Sequence, residues 1–409
     1  MREEMQGRVT PDGPADLLIV GASARAAAAS AVAAGFRVVA ADRYQDVDLV
    51  KLCPTHKIDR YEVDLLRVAD TRACRYWMYL GALENHPAAL NALAGRLPLL
   101  GVSADQVRLV RSAPHVARAL AQEGIPFPRT RQSPRDVPQD GSWLRKPQAS
   151  CGGVAIEPWF GTLHTDTNRS SREWYYQQRA AGLPCAGLYV AFSDETRLLG
   201  VTQQLLGQTW CGVRGFRYCG SIGPLALTGT QEQRWRRLGS VVAARFGLRG
   251  VFGIDAMMER DEVLPIEINP RYTASAEVVE RATGQSVLGA HVAACVPTDK
   301  WLDTWALCAV PPLGGGAAND YGIQSPGTVV AGKAIVYATA SITIRDSWVG
   351  HWLQLPDDAR GPQVADIPAP GTQIAVGHPI ATVLADGNRL EDVRERLQAR
   401  AENLYGCVE

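Results

Sequence analysis

The sequence predicts an α/β and α+β protein in three parts. These are an N-terminal Rossmann-like domain at residues 15–110, a central α+β domain at 111–300 and a small C-terminal β-rich domain at 325–409. Three observations carry this prediction: a βαβ opening, a central alternation of long strands with amphipathic helices, and short β-type runs near the end. A chain of 409 residues is also longer than one ordinary domain.

The N-terminal domain is predicted from its strand and helix pattern. Residues 17–22 (LLIVGA) form an apolar run ending in glycine, 24–34 are an alanine-rich helix, and 36–42 (FRVVAAD) are a second strand ending in an acid. This order is typical of a doubly wound sheet. Residues 76–83 and 97–102 have the composition of further strands of that sheet.

The central domain contains longer elements with clear periodicity. The predicted elements are a helix at 113–123, a strand at 174–178, paired strands at 187–193 and 197–207, a long amphipathic helix at 230–246, and strands at 251–259 and 263–271. The C-terminal domain adds β-type runs at 328–344 and 372–385 and a closing helix at 390–404.

Composition favours a cytoplasmic protein that acts on small molecules. The 42 Lys and Arg residues balance 42 Asp and Glu residues, so no electrostatic footprint for nucleic acid or anionic lipid is expected. No apolar run reaches the ~20 residues of a membrane span. The nine cysteines include no CxxC pair, which is typical of free thiols in a reducing compartment.

The strongest local signal is a candidate metal site. Glu267 and Asn269 stand two residues apart on a predicted strand, so their side chains project to the same face. Asp255, on the preceding strand, supplies a third oxygen ligand for Mg²⁺ bridging nucleotide phosphates. Carboxylates in such apolar surroundings need a cation or a donor. A structural salt bridge is the alternative interpretation.

Two cationic side chains are the candidate catalytic residues. Arg271 lies two residues beyond Asn269, where a guanidinium stabilises the charge of a transferring phosphoryl group. Lys146 precedes a loop that contains Gly152 and Gly153, and a lysine beside exposed backbone N–H groups suits polyphosphate. An ordinary solvated lysine is the alternative for Lys146.

The turn GASARA predicts contact with an anionic substrate rather than with a dinucleotide. The GxGxxG pattern is absent, since Ser23 occupies its second glycine position and Arg25 lies next to the third, which blocks close pyrophosphate approach. Glu84 and Asn85 follow another predicted strand, and carboxyl ends of such strands gather at one edge. All four residues are therefore expected to cluster at the substrate carboxylate. A plain βα turn with an alanine-packed helix is the alternative for GASARA.

Two further segments complete the candidate site. The loop at 212–224 carries Arg214 and Arg217 among glycines and aromatic residues, which suits an anionic substrate or, alternatively, an exposed turn. Gln177, Gln178 and Arg179 end a strand before glycine, where their backbone groups are expected to face an adenine edge. A simple strand end is the alternative for these three.

Taken in order, these segments resemble the ATP-grasp superfamily. The motifs GASARAAAASA, ALENHP, FRYCGSIGP and EINPRYTAS are similar to the branch described as predicted ATP-dependent carboligases related to biotin carboxylase. The resemblance extends over about residues 15–300. It implies ATP-grasp architecture with a pre-ATP-grasp domain and a lid subdomain at about 140–180. It also implies a phosphate-binding role for Lys146, an adenine hinge at 176–179, metal ligation by Asp255, Glu267 and Asn269, and a γ-phosphate role for Arg271.

Two departures from the family pattern stand out. The region ahead of the lid offers Arg111 and Arg118 where ATP-grasp enzymes often carry a second phosphate lysine. The bicarbonate and biotin residues of biotin carboxylases have no counterpart between residues 195 and 225. This second departure argues against carboxylation of biotin.

The resemblance implies an ATP- and Mg²⁺- (or Mn²⁺-) dependent ligase. It would activate a small-molecule carboxylate as an acyl-phosphate and join it to an amine, in a role such as glutamyl addition to a pterin or furan in cofactor biosynthesis. A bicarbonate-activating carboligase and a non-catalytic nucleotide-binding scaffold are the alternatives. Assembly into a homo-oligomer is left open.

Overall fold

The computed structural model of the chain describes residues 15–71, 74–161, 173–296 and 329–408. The predicted boundary between the central and C-terminal domains, at 300–325, lies outside the described residues. None of the described helices is both long and apolar enough to cross a membrane.

The N-terminal domain is a Rossmann-like α/β unit, as predicted. Four parallel strands lie in the order β3-β2-β1-β4, one half of a doubly wound sheet. The strands are β1 (Ala15–Gly21), β2 (Val38–Asp42), β3 (Thr55–Lys57) and β4 (Cys74–Tyr79). The helices are α1 (Arg25–Ala33), α2 (Val47–Leu52), α3 (Tyr61–Thr71) and α4 (Pro87–Ala94), with a 3₁₀ turn at Leu83–Asn85.

The predicted strand at 97–102 is wrong. This segment forms a single bridge, between Trp77 and Leu99, beside the last strand of the sheet. Pro98 has no N–H to donate to a ladder, and Gly101 has a φ of 128° that leaves the extended region. The segment therefore turns away and leads into α5 (Ala104–Arg111) and α6 (Ala113–Gln122).

A small antiparallel sheet, here called the lid sheet, precedes the central sheet. Its four strands lie in the order β5-β8-β6-β7. They are β5 (Thr130–Arg131), β6 (Trp143–Pro147), β7 (Glu157–Pro158) and β8 (Trp174–Gln178). Val137, Trp143, Trp159 and Tyr176 form an apolar cluster at this sheet that is separate from the other cores.

The central sheet has eight antiparallel strands in the order β13-β12-β9-β10-β11-β14-β18-β16. Those from the central domain are β9 (Leu183–Ala191), β10 (Thr196–Leu206), β11 (Tyr218–Gly223), β12 (Gly250–Glu259) and β13 (Glu262–Asn269). The C-terminal domain contributes β14 (Val330–Tyr337), β16 (Val364–Ala365) and β18 (Pro379–Gly387). The C-terminal domain thus extends this sheet instead of forming a separate one.

The remaining elements pack around the central sheet. A 3₁₀ turn at Thr209–Cys211 precedes β11, and a two-stranded sheet joins β15 (Ile342–Thr343) to β17 (Gln373–Ile374). The helices are α7 (Gly229–Phe246), α8 (Ser275–Thr283), α9 (Val287–Cys295), α10 (Asp346–Gln354) and α11 (Leu390–Val408). The predicted helices at 230–246 and 390–404 are confirmed.

Helix α7 is encoded by clear local signals. Thr228 and Gln231 form a reciprocal capping box at its start, and Gly247 ends it with a φ of 61°. Gly239 brings the helix close to the sheet, since a Cβ there would lie 2.2 Å from the Tyr189 ring. Alternate residues of β9 face opposite cores: Tyr189 packs towards α7, while Leu188 and Val190 belong to the core that includes residues of α8 and α9.

Candidate functional site

One large cavity, of about 630 Å³, is bounded by all three parts of the chain. The N-terminal domain contributes the turns after its first strands. The central domain contributes the β12–β13 hairpin and the loop at 148–153, here called the lid loop. The C-terminal domain contributes β14 and the segment from Asp366 to Thr382. Polar residues on its wall include Ser23, Lys146, Asp255, Glu267, Asn269 and Arg271.

The predicted metal ligands lie together on the β12–β13 hairpin. Asp255 and Glu267 are directly opposite each other in the antiparallel pairing, so their side chains project to one face. Asn269 donates through Nδ2 to Asp255 Oδ2 at 3.3 Å. All three residues line the cavity. The three residues thus lie together at the cavity, and their role as metal ligands stays a prediction.

The electrostatics of this hairpin suit a divalent cation. Burial, and then the charge of Glu267, raise the pKa of Asp255 to about 7. Two facing carboxylates and an amide oxygen are donors that suit Mg²⁺, which completes its shell with phosphates and water. Within the described residues there is no cluster of three or more His, Cys, Asp or Glu side chains able to hold a metal. The predicted set has two carboxylates, so phosphate oxygens would have to complete it.

Arg271 is held in place by a residue from the N-terminal domain. Its Nε donates to Glu84 Oε1 at 2.8 Å, and its Nη2 donates to Asn269 Oδ1 at 3.2 Å. Burial opposes its charge, but Glu84 raises the pKa of Arg271, so the guanidinium stays cationic. Glu84 is therefore a positioning residue for Arg271, and it lies within 3.6 Å of Arg111 as well.

Lys146 lies on β6 and is 5% exposed. Its Nζ donates to Gln177 Oε1 at 3.0 Å. Burial lowers the pKa of this lysine, but Tyr175 and then Glu267 more than offset the effect, so its pKa is raised. A buried, charged lysine on the wall of a cavity is poised for an anionic ligand. The alternative of an ordinary solvated lysine does not fit this environment.

The lid loop, which contains Gly152 and Gly153, packs against the loop that precedes β11. Gly152 accepts a hydrogen bond from the Tyr218 amide at 3.0 Å. Gly153 has a φ of 70°, and a Cβ there would lie 2.0 Å from the Phe216 carbonyl oxygen. Glycine is thus required for this close approach. Both glycines line the cavity.

Arg111 binds the backbone of the lid loop from the other side. Its Nη2 donates to the carbonyl oxygens of Gln148 at 3.1 Å and Ser150 at 3.2 Å. Arg118 is exposed on α6. Of the two arginines in the region of the missing lysine, only Arg111 thus reaches the lid loop.

The adenine-edge residues are placed differently from the phosphate residues. Gln177 is 2% exposed and is bonded to Lys146, while Gln178 and Arg179 are exposed. The amides of Gln178 and Arg179 already donate to the carbonyls of Arg129 and Ser142, at 2.8 and 2.9 Å. None of the three is part of the cavity wall. Adenine binding by this segment stays a prediction, and other backbone groups would have to supply it.

The predicted carboxylate-binding cluster is divided between two places. Ser23 lines the cavity, and Glu84 is bonded to Arg271. Asn85 is beside Glu84 but is not part of the cavity wall, and its buried Oδ1 has no hydrogen-bond partner among the residues that the structure describes. Arg25 points into an ion network of its own. The four residues thus do not form the single cluster expected from their strand ends.

Arg25 is engaged by acidic side chains from distant parts of the chain. Its guanidinium is bonded to Glu277, and its Nε lies 3.0 Å from Asp366 and 3.6 Å from Asp48. Lys333 Nζ donates to the other oxygen of Glu277 at 2.6 Å. Burial opposes ionisation of Glu277, yet Arg25 and Lys333 lower its pKa. A guanidinium so neutralised is a poor anchor for a substrate carboxylate, so the environment of Arg25 favours a structural role.

Replacing Arg25 with glutamine is therefore expected to destabilise the fold by about 3–5 kcal/mol, because it leaves buried carboxylates without their main cation. Arg108→Gln is the matched control, since Arg108 forms an ion pair with the exposed Asp105 on the surface of the same domain, where the loss is expected to be under about 1 kcal/mol. Urea unfolding of both variants measures the difference. Equal losses would contradict the structural role.

The two arginines of the 212–224 loop differ in position. Arg217 lines the cavity, and its Cζ lies 5.0 Å from the centre of the Tyr337 ring. Arg214 is exposed and is not part of the cavity wall. Contact with an anionic substrate stays a prediction for both, and the geometry favours Arg217.

Several wall residues were absent from the sequence-based site. Gln204 bonds to Asp255, Lys333 is 4% exposed, and Asp46 and Asp366 face the same cavity. Lys333 carried a detectable signal, because it stands alone in the apolar run VAGKAIVY of a strand. Asp46 and Asp366 carried none, since each looks like an ordinary loop acid.

Comparison with known proteins identifies the same architecture. Residues 114–275 match the family model of the ATP-grasp domain. No curated protein sequence matches the chain. Similar solved structures include N5-carboxyaminoimidazole synthase from Aspergillus clavatus, in complex with ADP and 5-aminoimidazole ribonucleotide. It is 14% identical with a TM-score of 0.65, over 97% of this chain and 99% of that one.

Two more structures share the fold at similar levels. L-amino acid ligase from Bacillus licheniformis is 13% identical with a TM-score of 0.65, over 96% of this chain and 98% of that one. Rhizobium etli pyruvate carboxylase is 14% identical with a TM-score of 0.67, over 95% of this chain and 37% of that one. Residues 114–275 therefore match the ATP-grasp domain, and the whole chain shares the fold of these solved structures.

Proposed function

We propose that the chain is an ATP- and Mg²⁺-dependent ligase that activates a carboxylate as an acyl-phosphate and joins it to an amine. One observation carries the proposal. A single cavity is lined by a buried lysine, a carboxylate pair and a buried arginine, namely Lys146, Asp255 with Glu267, and Arg271. These groups supply the charges that phosphoryl transfer requires.

Each group has a distinct task in this reaction. Lys146 and the lid loop bind the phosphates of ATP, and Arg271 stabilises the phosphoryl group during transfer. Asp255, Glu267 and Asn269 would hold Mg²⁺ (or Mn²⁺), which neutralises phosphate charge when it is bound. The remaining wall leaves room for the carboxylate and the amine.

The proposed reaction has two steps, formation of the acyl-phosphate and its reaction with the amine. A carboxylate oxygen attacks the γ-phosphorus, and the bond from that phosphorus to the oxygen of the β-phosphate breaks, which releases ADP. The amine nitrogen then attacks the acyl carbon, loses a proton and displaces inorganic phosphate. The protein mainly positions the reactants and stabilises charge.

The similar structures support a ligase. They include an L-amino acid ligase and a complex of a synthase with ADP and a ribonucleotide. A role in cofactor biosynthesis, with a glutamyl-type carboxylate as the activated group, is the version we propose. The test is ADP release from the purified full chain with ATP, Mg²⁺ and pooled amino acids and carboxylated cofactors. ADP release that needs both a carboxylate and an amine supports the proposal.

Lys146→Ala is expected to weaken ATP binding about ten-fold or more while the fold persists, because the variant loses a charged contact to phosphate. Lys51→Ala is the control, as Lys51 is exposed on α2. Isothermal titration of ATP with Mg²⁺ measures both, and thermal unfolding checks the fold. ATP affinity equal to that of the unmodified protein would remove Lys146 from the phosphate site.

Bicarbonate activation is a second candidate function. It is favoured by the fold similarity to pyruvate carboxylase and to the N5-carboxyaminoimidazole synthase. ADP release that needs bicarbonate and no other carboxylate would support it. Tight ATP binding without ADP release, whatever is added, would instead support a non-catalytic scaffold.

A further inference from the structure

One part of the cavity wall outside the ATP-grasp domain is acidic. We call it the acidic wall and define it as Ser23, Tyr44, Asp46 and Asp366, all of which line the cavity. The first three follow β1 and β2 at their carboxyl ends, where open α/β sheets bind ligands. Asp366 comes from the C-terminal domain. No role in phosphate binding accounts for this wall.

The carboxylates around the acidic wall have partners, with one exception. Asp42 accepts hydrogen bonds from the amides of Ala24, Tyr44 and Gln45, at 2.6–2.7 Å. These bonds hold the turn after β2 in shape. The Asp42 carboxylate therefore needs no further cation.

The other carboxylates near the acidic wall have hydrogen-bond partners from other domains. Asp48 accepts from the amides of Asp366 and Ile367, at 2.9 and 3.0 Å. Asp366 is bonded to Arg25, and Glu277 is bonded to Arg25 and Lys333. The two cations of the network are therefore used by these acids.

Asp46 is the exception. It is 5% exposed and precedes α2, yet its side chain makes no capping bond to that helix. Its carboxylate makes no hydrogen bond or ion pair within the part of the chain that the structure describes, and its oxygens are not sealed off from the cavity. Burial, and then the charge of Asp366, raise the pKa of Asp46 well above its usual range.

We propose that Asp46 binds the positively charged amino group of the amine substrate. This inference rests on the proposed function and specifies its second substrate as an amine that enters as an ammonium ion. A nearly buried carboxylate without a partner is costly, and an ammonium group would form charge-assisted hydrogen bonds with it. Mg²⁺ fits less well, because Asp46 is a single free carboxylate and Asp366 is held by Arg25.

The surroundings of Asp46 indicate what such an amine carries. Tyr44, Pro368, Ile374 and Ile380 line the same cavity. Tyr44 is 44% exposed, a large aromatic surface left open to solvent. An apolar body attached to the ammonium group would cover this surface. Benzylammonium therefore serves as a probe, and benzyl alcohol is its uncharged counterpart.

The test compares the unmodified full chain with Asp46→Asn, and Asp105→Asn is the control because Asp105 is exposed on α5. At about ten times its Kd, benzylammonium is expected to raise Tm by about 1–3 °C more than benzyl alcohol does. This difference should persist in the control and vanish in Asp46→Asn. Equal shifts by amine and alcohol, or an amine effect that survives in Asp46→Asn, would overturn the inference.

Two further Tm measurements distinguish amine binding from a structural role and from metal binding. Without any ligand, Asp46→Asn is expected to raise Tm, because it removes an unpartnered acid whose ionisation is opposed by burial. A fall in Tm would indicate a structural carboxylate instead. A Tm rise with Mn²⁺ that needs Asp46, in place of the amine effect, would assign the residue to a metal. The readout needs neither ATP nor turnover, so amine binding without ADP release would refute only the ligase proposal.

Discussion

Arg271→Ala is expected to lower kcat for ATP-dependent ligation by about 10²–10³-fold, the effect of removing one preorganised donor to transition-state charge. The Kd for ATP should change little, because Arg271 is expected to act mainly on the phosphoryl group during transfer. The guanidinium is positioned for this by bonds to Glu84 and Asn269. Single-turnover kinetics with saturating ATP and nucleotide titration separate the two quantities.

Two variants accompany this test. Arg271→Lys keeps the charge but loses the planar fork that contacts two partners at once, so its kcat should lie between those of the unmodified protein and Arg271→Ala. Arg245→Ala is the control, since Arg245 pairs with Glu123 away from the cavity. A large rise in the Kd for ATP with kcat preserved would mean that Arg271 binds the ground state only.

The second large effect is expected from Asp255→Asn. This change should raise the Mg²⁺ concentration for half-maximal activity about ten-fold or more, since a metal ligand is lost. The ligand-free variant should also unfold at a higher temperature, because it relieves a buried carboxylate that faces Glu267. Weaker affinity for Mg²⁺ together with gained stability is the signature of a functional carboxylate pair.

Glu259→Gln is the matched control for Asp255→Asn. Glu259 lies at the end of the same strand, is exposed and is not part of the cavity wall. Its Mg²⁺ dependence and Tm should match those of the unmodified protein. If Asp255→Asn lowers Tm while Mg²⁺ dependence stays normal, the pair is a structural element and the metal assignment is wrong.

The inference on Asp46 and the ligase proposal can be separated by these experiments. Arg271 and Asp255 act on phosphate, whereas Asp46 is expected to act on the amine alone. An Asp46→Asn enzyme should therefore retain its ATP affinity even where amine-dependent turnover falls. If ATP binding fell as well, the acidic wall would belong to the nucleotide site.

The sequence alone was sufficient for features that depend on neighbours in the chain. Side chains alternate along a strand, so Glu267 and Asn269 had to share a face, and pairing with the preceding strand brought in Asp255. Amphipathic periodicity marked the long helix α7. The prediction for Lys146 and the glycines after it also rested on residues that are close together in the chain.

Only the tertiary structure decided which distant charges meet. Arg25 looked like a substrate ligand, but Glu277 and Asp366, which are 252 and 341 residues away, neutralise it. Glu84 proved to hold Arg271 across 187 residues, and the C-terminal strands proved to extend the central sheet and close the cavity. Such partners are set by packing between domains. Residue periodicity reports only the face on which a side chain lies, and therefore does not identify the charge that it meets.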